Sequence, residues 1–177
     1  MSYQPHKVEG LRVPLFDRLV DSAPEQAKEI SPLRVYERSA LEASLARDIH
    51  RLLNTRRASA GPLDPARATV LDYGIPNFSH LNAGSATDRR TFAETIRAAI
   101  AFFEPRAHEV VVQLEPDPRS PASMLALVHC KVRLGRHMEP VTFPLLVHGK
   151  EGTVEVLLPE SNTGAPRPAA LELARHG

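Results

Sequence analysis

Ala98-Ala99-Ile100-Ala101-Phe102-Phe103-Glu104-Pro105-Arg106 is the stretch on which the chain passes from one periodicity to another. Upstream, Phe92, Ile96, Ala99, Ile100 and Phe103 fall on one helical face. Downstream, Val110, Val112 and Leu114 alternate with polar residues, which is the period of a strand. Proline drives the residue before it out of the helical region and fixes its own φ. Glu104 therefore stands at the helix end, and Pro105 makes the turn stiff. Residues i and i+2 of an extended segment share a side. Glu104 and Arg106 are placed to present a carboxylate and a guanidinium together, paired with each other or reaching outward.

Outward from this hinge, the helical half lies before it. Ser39-Ala40-Leu41-Glu42 reads as a capping box. Leu41, Leu45, Ile49, Leu52 and Leu53 follow at helical spacing, and the helix closes near Asn54-Thr55-Arg56-Arg57. Basic residues suit that end of the helix dipole, and Arg56 and Arg57 are also candidates for a partner contact. The hinge helix itself runs from Thr87 or Asp88 to Phe103, with Thr91 and Glu94 as a second capping box. A shorter helix is expected from Pro14, with Leu15, Phe16, Leu19 and Val20 on one face. Residues 21–37 read as a connecting loop.

Residues 58–86 form a long connection containing Val70-Leu71-Asp72-Tyr73-Gly74-Ile75-Pro76. Long connections inside compact domains are usually functional. Leu71, Tyr73 and Phe78 are expected to pin this one to the domain.

The sheet half lies after the hinge. Glu109–Glu115, Ala122–Arg133, Val141–Val147 and Thr153–Leu158 read as strands. The last two are joined by the hairpin loop His148-Gly149-Lys150-Glu151-Gly152. In the second strand Met124, Ala126, Val128, Cys130 and Val132 share a face, while Leu125 and Leu127 lie on the other. Helices followed by consecutive strands predict an α+β fold, with N-terminal helices on one side of a mainly antiparallel sheet of about four strands. Pro144 cannot donate to a ladder, so it marks either a bulge or an edge.

Composition narrows the function classes. The chain of 177 residues suits one domain, assigned to 11–158, with a flexible N-terminus at 1–10 and a flexible Pro-rich tail at 159–177. With 22 basic and 21 acidic residues there is no electrostatic footprint for nucleic acid or an anionic membrane. The single Cys130 suits a reducing compartment. Met1–Lys7 carries no apolar h-region, and no apolar run is long enough to span a bilayer. A cytoplasmic protein is expected.

No residue pattern demands catalysis. His129 and Cys130 are strand neighbours and point to opposite faces, so they cannot act as base and nucleophile. The eight His residues show no metal-ligand spacing. Phosphate-binding and nucleophile-elbow motifs are absent. Of the available acids, Glu42 and Glu94 are accounted for as caps, and the aromatics that line sugar clefts are scarce. Neither a catalytic residue, a metal nor a cofactor is expected.

Four segments in order carry a family resemblance: Leu15-Phe16-Asp17-Arg18-Leu19, Leu52-Leu53-Asn54-Thr55-Arg56-Arg57, Val70-Leu71-Asp72-Tyr73-Gly74-Ile75-Pro76 and Phe103-Glu104-Pro105-Arg106. Together they resemble the TssE family of type VI secretion baseplate subunits, itself similar to the wedge and sheath-initiator protein of contractile phage tails. The resemblance implies a structural protein that docks on the wedge complex and initiates sheath polymerisation. It implies TssF, TssG and TssK as baseplate partners and TssB and TssC as sheath partners, at the cytoplasmic face of the inner membrane. By motif match the docking role falls on Glu104, Pro105 and Arg106. Arg56, Arg57, Tyr73, Gly74 and Pro76 are the further partner-binding candidates. A sheath strand is expected to join one sheet edge. Asn77 and Ala107 depart from the family pattern. The word lysozyme in some family labels raises a peptidoglycan-acting hydrolase as one alternative; a free-standing adaptor domain is another.

Overall fold

The computed structural model describes residues 11–13, 35–36, 38–58 and 61–157, with the single positions Leu19 and Glu25. Both expected flexible ends, 1–10 and 159–177, lie outside the described residues. So does nearly all of the helix expected from Pro14; Leu19, which is described, is exposed.

Strand β1 (Leu11–Arg12) pairs antiparallel with β2 (Val35–Tyr36) in a small ribbon. The second of these falls inside the stretch 21–37 read as loop. Helix α1 (Arg38–Asn54) buries Leu41, Leu45, Ile49, Leu52 and Leu53, the expected face. Its start corrects the expected capping box. The helix begins at Arg38, so Ser39 is already inside it. The Glu42 carboxylate accepts from Arg38 Nε at 2.9 Å. Arg38 Nη1 also reaches Glu139 at 2.7 Å; the Arg38 pKa is raised, chiefly by the hydrogen bond and charge of Glu42, against burial, with Glu139 adding least.

Helix α2 (Ala86–Phe103) is capped earlier than expected. The Ser85 side chain accepts from Asp88 N, and the Asp88 carboxylate accepts from Asn82 N at 2.9 Å. Thr91 and Glu94 are interior and form no capping box. The Thr91 carbonyl accepts from Thr95 Oγ1, and Glu94 pairs with Arg97. Phe92, Ile96, Ala99 and Ile100 are buried.

The sheet follows in chain order: β3 (His108–Pro116), β4 (Ser123–Leu134), β5 (His137–His148) and β6 (Thr153–Val156), every neighbour antiparallel. One face of all four strands joins the helices in a single core, centred on fully buried Val128, Phe143 and Leu145. Each such aliphatic or aromatic side chain contributes roughly 1.5–3 kcal/mol relative to exposure. On the opposite face Leu125 and Leu127 are half-buried.

Pro144 is neither a bulge nor a simple edge residue. It is in register with Leu127 of β4, while its carbonyl accepts from Leu157 N at the end of β6. Both main-chain groups of a strand residue face the same side. The imide nitrogen of Pro144 therefore faces away from β4, and no ladder bond there is lost. Pro140, four residues earlier on the same side, lies beyond the reach of β6.

The long connection is ordered by its own caps. A 3-10 turn (Val70–Asp72) is closed by a capping box between Thr69 and Asp72. The connection is pinned at Ile75 and Phe78, both buried, and not at Leu71 as expected. Ile75 N donates to Thr55 O, and Arg57 N to Ile75 O, a parallel bridge onto the end of α1. Phe78 lies against Phe92 at 4.7 Å between centroids.

Candidate functional site

Glu104 caps α2, donating its N–H to Ile100 O at 2.9 Å, and Ala107 N closes the turn onto Glu104 O. The Glu104 carboxylate turns inward. Arg106 Nε reaches Glu104 Oε1 at 2.7 Å and Nη2 reaches Oε2 at 2.6 Å, a bidentate pair. The same Nη2 lies 2.5 Å from Asp48 Oδ2, and Nη1 donates to Ser44 Oγ at 3.0 Å. Arg106 is 15% exposed and Glu104 8%. Burial alone would lower the Arg106 pKa; the hydrogen bond and charge of Glu104, then of Asp48, outweigh it and the net shift is upward. Only Pro105 of the three is exposed.

Of the two arrangements open from the sequence, the charges take the one in which they pair. The turn is bolted to α1 through Ser44 and Asp48. Neither was read from the sequence as a partner of Arg106. Their signal was available: a polar pair at i, i+4 directly beside the Leu41/Leu45/Ile49 stripe.

The other candidates form a second structural group. Arg56 donates from Nη1 to Leu53 O at 2.7 Å and from Nη2 to Gly152 O, and lies 4.5 Å from the Phe78 ring centroid. Burial lowers its pKa. Arg57 reaches Gly61 O, while its buried Nε has no partner. Arg57, Gly74 and Pro76 share a shallow cleft with the Thr91–Ala99 side of α2. Gly74 has φ +108°, and a Cβ there would stand 2.3 Å from Thr55 O. Asn77 uses its side-chain oxygen locally, accepting from Ser79 N.

Tyr73 joins the two groups. Its ring meets Phe103 edge-on at 5.2 Å, and burial raises its pKa. Beside it stand apolar residues that the sequence reading did not mark as exposed. Val70 is 89% and Leu71 77% exposed, and Phe102 also faces out. A groove runs between Ala68–Val70, Tyr73 and the Phe102–Phe103 end of α2.

The polar chemistry is already committed. Glu104 and Asp48 share one guanidinium, so neither is placed as a free acid or base. Burial pushes the Cys130 thiol up to about 11, with the Glu104 charge adding to it. His129 Nδ1 meets Thr142 Oγ1 on the opposite face. Among the described residues no group of three metal-ligating side chains comes together, and no helix is long and apolar enough to cross a membrane.

Among curated proteins none matches this chain. A solved chain of "The baseplate complex from the type VI secretion system" is 17% identical, with a TM-score of 0.47; the match covers 62% of this chain and 95% of that one. Residues 39–139 match the family described as baseplate wedge protein gp25. That span holds α1, the capped connection, the hinge and the first strands of the sheet, and as it exceeds half of the sequence, the chain belongs to the baseplate wedge protein gp25 family.

Proposed function

We propose that the chain is a structural wedge component of a type VI secretion baseplate that docks on the wedge complex and starts the contractile sheath. TssF and TssG are its partners in the wedge, TssK elsewhere in the baseplate, and TssB and TssC in the sheath. The assembly works in the cytoplasm, at the inner face of the inner membrane. Glu104-Pro105-Arg106 serves docking as a rigid mount. Its charges hold α1, α2 and β3 in register, and Pro105 is the part presented.

One observation supports sheath initiation. The sheet has two unlike edges. On the β5 side, residues 137–143 extend past β6, and Pro140 removes a donor from that edge. On the other side β3, among the described residues, pairs only with β4. Asp117 N donates to Ser123 O, which fixes the alternation. The main-chain groups of Val112 and Leu114 consequently face out. A bulge at Glu109, with φ +51° and a 2.5 Å ion pair to Lys131, protects only the first turn of this edge. The open remainder can receive a strand from a sheath protein.

The test is co-expression of the tagged chain with its baseplate and sheath proteins. The proposal predicts purification in fixed ratio with TssF and TssG; a chain that elutes alone overturns it. Purified chain added to cell walls is predicted to leave their turbidity unchanged, and clearing would restore the hydrolase alternative.

A further inference from the structure

At the β6 edge of the sheet, side chains stand where a further strand would pair. Leu157 N donates to Pro144 O, which fixes the alternation along the β5–β6 pair. The main-chain groups of Val154 consequently face away from β5, on the outer side of β6. One residue takes both of them. Asn54, at the end of α1, accepts from Val154 N at 3.0 Å through Oδ1 and donates to Val154 O at 2.8 Å through Nδ2. Its amide copies the donor and acceptor of a neighbouring strand residue. Two residues further along the chain, Arg56 Nη2 donates to the carbonyl of Gly152.

Both side chains are held in place. Asn54 Nδ2 also donates to His50 O at 2.9 Å, and Arg56 Nη1 to Leu53 O at 2.7 Å. The main chain between them faces the other way, toward the connection, where Thr55 O accepts from Ile75 N and Arg57 N donates to Ile75 O. Strand addition needs successive outward-facing groups along an edge. β6 is only Thr153–Val156, and with Val154 occupied just Val156 is left facing outward. Val112 and Leu114 of β3 have no such cover among the described residues.

We infer that Asn54 and Arg56 determine which edge of the sheet accepts a strand: they seal β6 and confine strand addition to β3. The direction rests on the strand-accepting reading of β3. The seal is a property of the chain alone and is testable without a partner.

The test uses the purified full chain carrying Val112→Pro, which blocks the β3 edge. In sedimentation velocity, adding Asn54→Ala should strengthen self-association by roughly tenfold or more, through β6 edges that now pair with each other. Adding Val156→Pro, which removes the other outward N–H of β6, should abolish that association. Asn54→Ser, too short to reach both groups of Val154, should act as Asn54→Ala does, and melting curves check that every variant is folded. Folded Asn54 variants that do not associate, or association that survives Val156→Pro, overturn the inference. So does unfolding of both Asn54 variants, which would make Asn54 a requirement of the fold instead. In assembled baseplates that carry sheath, the photo-cross-linker p-benzoylphenylalanine at Gln113 of β3 should capture sheath protein, and at Glu155 of β6 should not; capture at Glu155 in the parent chain overturns the inference. Capture at neither position overturns the sheath reading of β3 and leaves the sedimentation result to decide the seal.

Discussion

Arg106 grips Glu104 with two donors, Nε and Nη2, and extends the same guanidinium to Asp48 on α1. A buried ion pair of this kind adds little stability over an apolar replacement, but breaking it strands a charge. Arg106→Met should therefore cost about 3–5 kcal/mol, because the Glu104 carboxylate is left buried and unpaired. Urea denaturation measures this. Glu104→Gln together with Arg106→Met should recover a good part of the loss; no recovery would mean that the ion pair is not what holds the hinge.

A simple exchange of the two charges is a poor probe of docking. Glutamate at position 106 would face Asp48, and repulsion would replace the second contact. The exchanged protein should melt well below the parent in differential scanning calorimetry, before any partner is added. An unchanged transition would contradict the role given to Asp48.

The connection offers a contrast between two neighbouring aliphatic residues. Ile75 is fully buried and Leu71 stands in solvent. Ile75→Ala should cost about 2–5 kcal/mol, and Leu71→Ala within about 0.5 kcal/mol. Gly74→Ala between them should be severe as well, from a Cβ driven into Thr55 O at a positive φ. Equal losses at 71 and 75 would show that the wrong residue has been named as the pin.

That contrast marks how far the sequence could be read. Helix and strand periods survive burial, so the apolar faces of α1, α2 and β4 were legible, residue by residue. The hinge was legible because Pro105 acts locally. Leu71 was not, because composition alone cannot tell an apolar residue that packs from one that is displayed. The Thr69–Asp72 cap decides it, and that box was hidden in a stretch read as loop. Asp48 and Ser44 escaped for a different reason. They meet Arg106 across some sixty residues, and only the packing of α1 against the hinge brings them there. Pro144 was ambiguous until β6 was seen to end beside it.

Cys130 supplies a pH signature. Its folded pKa, pushed up to about 11 by burial, lies above the ordinary thiol value of about 8.5. Below the ordinary value both states keep the proton and the contribution is complete. As pH rises toward 11 the unfolded chain sheds its proton first, so stability falls through this window, by about 3 kcal/mol. Cys130→Ala should flatten that slope in melting curves between pH 8.5 and 11. In the native protein at pH 8 the thiol should also resist alkylation until denaturant is added.

The most direct measurement concerns the open edge of β3. Val112→Pro removes one outward-facing N–H and leaves every ladder bond to β4 in place, a position where an edge strand tolerates proline. In cells lacking the native chain and carrying fluorescent sheath protein, the parent sequence should restore sheaths. The Val112→Pro chain should enter the baseplate in normal amount yet support few sheaths or none. Sheaths at the parental frequency, from a Val112→Pro chain shown to be folded and incorporated, would contradict the account.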